Sequence, residues 1–290
     1  MKDFNGSTAV YGIIGDPVEH SISPFMQTSA MEKMGFNGVY LPFHVLPEHL
    51  EKAIGGMKAL NISGLNVTSP HKQNVIRYLD RISDAAEVIG AVNTIVNDSG
   101  ALYGDNTDVY GYIQGVLKMG KTDVLPEIVC IFGAGGAARG VIYGCAMREE
   151  VRKIFIMNRT LSKAQIIADE FSRITGKHIM AFPSDDSKIR DIVPATGLVI
   201  NTTTIGQLPD AGVSPVPDPS VFHKGQIVSD IITAPVKTKY LRDAEERGAL
   251  TVNGLPMLAY QGARSLSIWT GMDAPEDYML TIVRKHFDES

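Results

Sequence analysis

Short apolar runs alternate along this chain with longer segments whose apolar residues recur every three or four positions, a pattern that predicts strands and helices in turn. Val10 to Gly15 reads as a strand, ended by Gly15-Asp16-Pro17. Ser23-Pro24 predicts a helix start, with Ser23 as the cap and proline at the first helical position; the helix runs to about Met34 and stops at Gly35. A strand over Val39 to Val45 follows. Then comes a helix over Pro47 to Leu60 with Leu50, Ile54 and Met57 on one face, and a strand over Gly64 to Thr68. Pro70 opens another predicted helix. Ala91 to Val96 and Ala101 to Tyr103 flank Asn97-Asp98-Ser99-Gly100, a hairpin signal, and Asp108 to Met119 is a long helix.

A second unit starts near Leu125. Ile128 to Phe132 is a continuous apolar run, the pattern of a strand buried on both faces. Helix Gly136 to Met147, strand Lys153 to Met157, helix Leu161 to Ile174 and strand His178 to Phe182 repeat the alternation. Further strands fit Gly197 to Asn201 and Gln226 to Ile231, with a Pro- and Asp-rich loop over Leu208 to Pro219 between them. Such alternation predicts a parallel sheet with helices on both faces. Two helices close the chain, Pro256 to Met272 and Pro275 to Phe287.

Composition narrows the class. The 290 residues are 44% hydrophobic, enough to build a core without disulfides or metals. A net charge of −5 without a basic block argues against nucleic acid as a partner. Cys130 and Cys145 are the two cysteines, too few for a disulfide scaffold; both read as core residues in a cytoplasmic protein. No apolar run reaches the roughly 18 residues that span a bilayer. The polar start Met1 to Thr8, which carries Asp3, does not read as a signal peptide.

Gly133-Ala134-Gly135-Gly136-Ala137-Ala138 follows a predicted strand and opens a predicted helix. In that context it matches the dinucleotide pattern G-x-G-x-x-G/A. The first glycine allows a sharp turn, the second clears space for the pyrophosphate, and small Ala138 lets helix and strand pack closely. The next strand ends at Asn158-Arg159-Thr160, where an NAD site normally carries an acid for the ribose 2′-hydroxyl. Arg159 instead offers a guanidinium fork for a 2′-phosphate, with Thr160 adding a hydroxyl and Lys163 one helical turn on, so NADP is expected over NAD. The alternative makes Arg159 a solvated charge and Thr160 a helix cap. Asn201-Thr202-Thr203 ends a further strand at the ligand-facing edge.

Other polar strand ends carry candidate chemistry. Ser21 and Ser23 place two hydroxyls before a helix, suited to a carboxylate, although Ser23 could simply cap it. Asn66 and Thr68 share one side of a strand end, and Lys72 falls in the first turn of the expected helix, a position the macrodipole disfavours for a cation and one suited to acid–base work. Reduction of a ketone by hydride leaves an alkoxide that needs a proton. Lys72 can supply it, oriented by Asp108, whose alternative role is helix capping. His71 is the rival acid–base residue and reads as structural.

In order, these segments resemble the shikimate dehydrogenase family, including its quinate/shikimate branch. The resemblance rests on Ser21-x-Ser23-Pro24, Asn66-Val67-Thr68-x-Pro70-x-Lys72, Gly90-Ala91-Val92-Asn93-Thr94 and Gly104-x-Asn106-Thr107-Asp108. It continues through Gly133-Ala134-Gly135-Gly136, Asn158-Arg159-Thr160 and Asn253-Gly254-x-x-Met257-Leu258-x-x-Gln261, and covers nearly the whole chain. It implies two α/β domains around a cleft, the second a Rossmann-type doubly wound parallel sheet. Residues 1–110 with 254–290 would form the substrate and catalytic domain, to which the C-terminal helices return, and 111–253 the NADP domain. Lys72 and Asp108 would be the catalytic pair. Ser21, Ser23, Asn66, Thr68, Lys72, Asn93, Asp108 and Gln261 would surround the ring acid. Gly133, Ala134, Gly135, Gly136 and Ala137, with Asn158, Arg159, Thr160, Lys163, Thr202 and Gly254, would hold NADP.

The implied activity is reversible, NADP-dependent reduction of 3-dehydroshikimate to shikimate on the path to aromatic amino acids. The enzyme would be cytoplasmic, monomeric or homodimeric, without a metal and without a membrane partner. One departure stands out: Asp230-Ile231-Ile232-Thr233 places Thr233 where the family usually has tyrosine. Quinate or an aminated analogue, with NAD or NADP, is therefore the alternative substrate reading. A non-catalytic dinucleotide sensor is the alternative of another class.

Overall fold

The computed structural model describes residues 4–288; the polar start at Met1 to Asp3 lies outside them. In chain order the elements begin with β1 Ala9–Gly15, α1 Ser23–Lys33, β2 Gly38–His44, α2 Leu50–Ala59 and β3 Gly64–Val67. Next come β4 Arg81–Ile82, α3 Asp84–Ile89, β5 Thr94–Asp98, β6 Ala101–Asp105 and α4 Asp108–Gly120. The run continues with β7 Ile128–Phe132, α5 Gly136–Ala146, β8 Lys153–Asn158, α6 Leu161–Thr175, β9 His178–Pro183, α7 Asp186–Ile192 and β10 Leu198–Asn201. It ends with β11 Ile227–Asp230, α8 Lys239–Glu246, β12 Leu250–Val252, α9 Leu255–Thr270 and α10 Glu276–Asp288. Two compact units result, one of residues 1–108 with 259–290 and one of residues 109–258.

The first unit holds a mixed sheet in the order β2-β1-β3-β5-β6-β4. β1 pairs in parallel with β2 and β3, and the 97–100 turn makes β5 and β6 antiparallel neighbours. Leu50, Ile54 and Met57, the apolar stripe read for α2, are buried with Leu65, Val67, Ile95 and Leu102 of the sheet. The last helices belong to this unit, where α10 lies against α1.

The second unit holds an all-parallel sheet in the order β12-β11-β10-β7-β8-β9. That is the doubly wound order, and chain direction switches between β7 and β10, where ligands of such sheets bind. Val129, Cys130, Ile131 and Phe132 of β7 are all buried, as a strand covered on both faces must be. Both thiols are free and buried. Among the described residues no helix is long and apolar enough to cross a membrane.

Several local expectations needed correction. Pro70 does not open an α-helix: Lys72 sits in a turn, and the segment that follows is the short 3-10 helix Asn74–Tyr78. Neighbouring segments claim the backbone groups instead. Thr68 N–H donates to the Ile14 carbonyl of β1, and the Lys72 carbonyl accepts from Val92 N–H of the loop before β5, 2.8 Å away. Lys72 therefore sits in no helix dipole. Ser23 is the first helical residue of α1 rather than its cap; Ile22 takes the cap position, without a side-chain bond. Pro47–His49 is a 3-10 turn ahead of α2. β4, α3, α7, α8 and β12 are short and have no counterpart in the pattern read from the sequence. α8 is strongly charged, and only Tyr240, Leu241 and Ala244 of it are buried.

Candidate active site

In the first unit the end of β3 and the two loops beside it converge. The turn after Thr68 closes with His71 N–H donating to the Thr68 carbonyl, and the Lys72 carbonyl is pinned to Val92. From there Lys72 Nζ reaches Asp108 Oδ2 at 2.6 Å. Asp108 is the first residue of α4, and its backbone N–H is held by Asn106 Oδ1 at 3.1 Å. Its other carboxylate oxygen accepts from Asn93 Nδ2 at 2.9 Å. The side chains of Lys72 and Asp108 are 34% and 21% exposed, so the pair faces outward from its unit and can exchange protons with solvent or a ligand.

The structure joins several of the other expected residues to this pair. Asn93 Nδ2 also approaches Gln261 Oε1 at 3.5 Å, and Asn66 Nδ2 donates to the Asn93 carbonyl at 3.1 Å. Thr68 follows Asn66 along the chain; its methyl lies over Gly15, where a Cβ would collide with it. Ser21 and Ser23 are bonded to each other, Ser23 N–H to Ser21 Oγ at 3.3 Å, and not to that set. His71 is buried, with Nε2 2.6 Å from the Val45 carbonyl, a structural placement.

In the second unit the glycine turn lies at the chain-direction switch. Gly133 has φ +118°, and a Cβ there would meet Thr202 Oγ1 at 2.5 Å, so only glycine fits. Thr202 is fixed at the end of β10 by its hydroxyl, which donates to the Phe132 carbonyl at 2.6 Å. Ala134 is half-buried, Gly135, Gly136 and Ala137 are exposed, and Ala138 is buried against the sheet. With Gly135 at the cap and no side-chain cap bond, the first amides of α5 face outward as an anion site does. At the end of β8, Asn158 Nδ2 donates to the Thr160 carbonyl at 2.8 Å and shapes the turn that carries Arg159. Arg159, Thr160 and Lys163 are exposed, and neither base has a carboxylate partner among the described residues. Gly254 packs under the 231–232 backbone, where a Cβ would collide with the Ile231 carbonyl.

Sequence reading missed a buried support behind each set. Behind Asn93 stand Thr94, Thr107 and Ser265; the first two were foreshadowed by polar strand ends, the third only by a serine on the apolar face of α9. At the ends of β10 and β11, Asp230 accepts from Asn201 Nδ2 at 3.2 Å, Thr238 Oγ1 at 2.7 Å and Ile232 N–H at 3.1 Å. Burial nonetheless pushes its carboxyl up to about 6. Arg139 of α5 forks onto Glu170 of α6 at 2.7 and 2.8 Å, tying the helix after the glycine turn to the helix after Arg159.

The chain is similar to shikimate dehydrogenases in sequence and in fold. Residues 13–95 match the shikimate dehydrogenase substrate binding domain and residues 254–284 the shikimate 5′-dehydrogenase C-terminal domain. A shikimate dehydrogenase (NADP(+)) of Caldanaerobacter subterraneus subsp. tengcongensis is 43% identical over 282 residues, 97% of this chain and 98% of that one. The structure of shikimate 5-dehydrogenase from Listeria monocytogenes in complex with shikimate and NAD superposes with a TM-score of 0.92 at 36% identity, over 98% and 99% of the two chains. That of the Thermus thermophilus enzyme in complex with NADP(H) and shikimate does so with a TM-score of 0.82 at 33% identity, over 96% and 99%. With two family models matched and a relative 43% identical over nearly its whole length, the chain belongs to the shikimate dehydrogenase family.

Proposed function

We propose that the chain catalyses the reversible, NADP-dependent reduction of 3-dehydroshikimate to shikimate, with Lys72 as proton donor and Asp108 as its orienting partner. The observation that carries this reading is the 2.6 Å contact between Lys72 Nζ and Asp108 Oδ2, with Asn93 on the far oxygen. The Asn93 amide on Asp108 fixes the carboxylate plane, and the carboxylate then aims the ammonium. Asn66, Thr68, Asn93 and Gln261, with Ser21 and Ser23, supply the donors and acceptors that a polyhydroxylated ring acid needs.

The second unit fits NADP on its own geometry. The Gly133 turn leaves room that a side chain would fill, the exposed amides of Gly136 and Ala137 suit the pyrophosphate, and Arg159 with Lys163 suits a 2′-phosphate. Thr202, which closes on Gly133, and Gly254 complete the residues we assign to the cofactor. When bound, NADPH supplies the hydride to the ketone carbon. Lys72 then gives its proton to the carbonyl oxygen, so that one hydride and one proton make the alcohol. Partial exposure lets solvent restore the lost proton.

We assign residues 1–110 with 254–290 to substrate binding and residues 111–253 to the cofactor, bounds within a few residues of the two compact units. We further propose a cytoplasmic enzyme, monomeric or homodimeric; the two free, buried thiols fit a reducing compartment. Thr233 keeps quinate or an amino analogue as a second substrate reading, since its short side chain leaves the 231–238 loop without a ring at that position. The deciding experiment is a panel of shikimate, quinate and an amino analogue with NADP and with NAD, followed at the reduced-nicotinamide absorbance. The expected result is highest kcat/KM for shikimate with NADP. Silence with every ring acid leaves only a dinucleotide-binding sensor.

A further inference from the structure

Behind the Lys72–Asp108 pair lies a buried network of polar side chains that fixes which way the Asn93 amide faces. Thr107 N–H lies 2.8 Å from Asn93 Oδ1. A backbone amide only donates, so that atom is oxygen and the Asn93 amino group must face Asp108. The Thr94 hydroxyl donates to the same Asn93 Oδ1 at 2.9 Å, which spends its one proton. Ser265 Oγ lies 2.8 Å from Thr94 Oγ1, 3.1 Å from Thr107 Oγ1 and 3.0 Å from the Gln261 carbonyl four residues back in α9, so its one proton has more than one acceptor within reach. Asn66 is oriented in the same way: Tyr40 Oη donates to its Oδ1 at 2.8 Å, so its amino group faces Ser265 Oγ and the Asn93 carbonyl, each at 3.1 Å.

These side chains form one continuous buried network. Ser265 Oγ meets the Thr94 hydroxyl, Thr94 donates to Asn93 Oδ1, and Asn93 Nδ2 donates to Asp108, whose second oxygen receives Lys72. Ser265 and Thr94 are 0% exposed and Asn93 2%, so water cannot replace a missing member without new space. We infer that Ser265, on a helix 171 positions along the chain from Thr94, is a positioning residue that holds the Asn93 amide toward Asp108; the inference deepens the function proposed above.

The test is Ser265→Ala and Ser265→Cys in the full chain, assayed with 3-dehydroshikimate and NADPH. Loss of one member of the network should lower kcat of the alanine variant about tenfold. The weaker thiol donor should leave the cysteine variant in between, and KM for NADPH should stay within about twofold in both. If alanine prevents folding, the cysteine variant carries the test alone. Wild-type kcat in the variants that fold, or a parallel rise in the NADPH KM, overturns the inference. If the wild-type chain turns over no ring acid, the function has failed and the positioning claim is read separately, from crystal structures of the variants. An Asn93 Nδ2–Asp108 distance lengthened from 2.9 Å supports the claim, and an unchanged one overturns it.

Discussion

Gly133 and Thr202 meet at the switch point of the second sheet so closely that a Cβ on Gly133 would stand 2.5 Å from the Thr202 hydroxyl. The same hydroxyl is already committed to the Phe132 carbonyl, and Gly133 holds φ +118°. Gly133→Ala must therefore move the Thr202 turn and strain its own backbone. The expected cost is about 1–3 kcal/mol in urea unfolding and a higher KM for NADPH. A variant with unchanged stability and unchanged NADPH KM would show that the turn has slack the geometry denies.

Lys72→Ala removes the proton donor but leaves Asp108 with its bond from Asn93 and contact with solvent. Folding should survive, with kcat lowered on the order of 10²–10⁴-fold, the usual scale for a general acid. Stopped-flow and steady-state rates at saturating NADPH check this. Turnover at the wild-type rate would take Lys72 out of the mechanism.

Arg159 is exposed at the end of β8, with no carboxylate partner among the described residues. Arg159→Ala should raise the KM for NADPH by about 10- to 100-fold, the size of one lost charge-assisted fork, and leave the NADH KM nearly unaltered. Equal effects on both cofactors would refute its role at the 2′-phosphate.

Asp230 gives the stability of the second unit a pH signature. Its folded-state pKa, about 6, lies above the ordinary 3.8 because burial disfavours the charge. Between those values the folded chain holds a proton that the unfolded chain has released. This group's contribution is thus present at low pH and lost as pH rises from about 4 to 6, worth about 3 kcal/mol. The neighbouring phenols of Tyr112 and Tyr240 are held neutral by their own burial and do not titrate in that window. Asp230→Asn has no such titration. The difference in urea-unfolding free energy, wild type minus variant, should fall across pH 4–6; a flat difference would contradict the assignment.

Much of this protein was determined locally. The alternation of apolar runs and helical stripes specified nearly every long element, because burial on a pleated or helical face imposes its period on the residues. Ile128 to Phe132, the glycine turn and the opening of α5 were legible together, since a tight turn, close packing and free amides each demand a small residue there. Arg159 without an acid at the end of β8 already favoured a 2′-phosphate.

Tertiary structure decided what depends on groups distant in sequence. The helix expected at Lys72 does not form, because Val92 N–H in the loop before β5 donates to the Lys72 carbonyl. Chemistry alone pairs Lys72 with Asp108, but the Asn93 amide that orients the carboxylate takes its direction from Thr107 N–H and the buried network around it. Likewise the Asp230 carboxyl is displaced by burial among β10, β11 and the 231–238 loop. Desolvation and hydrogen-bond direction belong to a surrounding, not to a residue, and no local pattern in the chain encodes them.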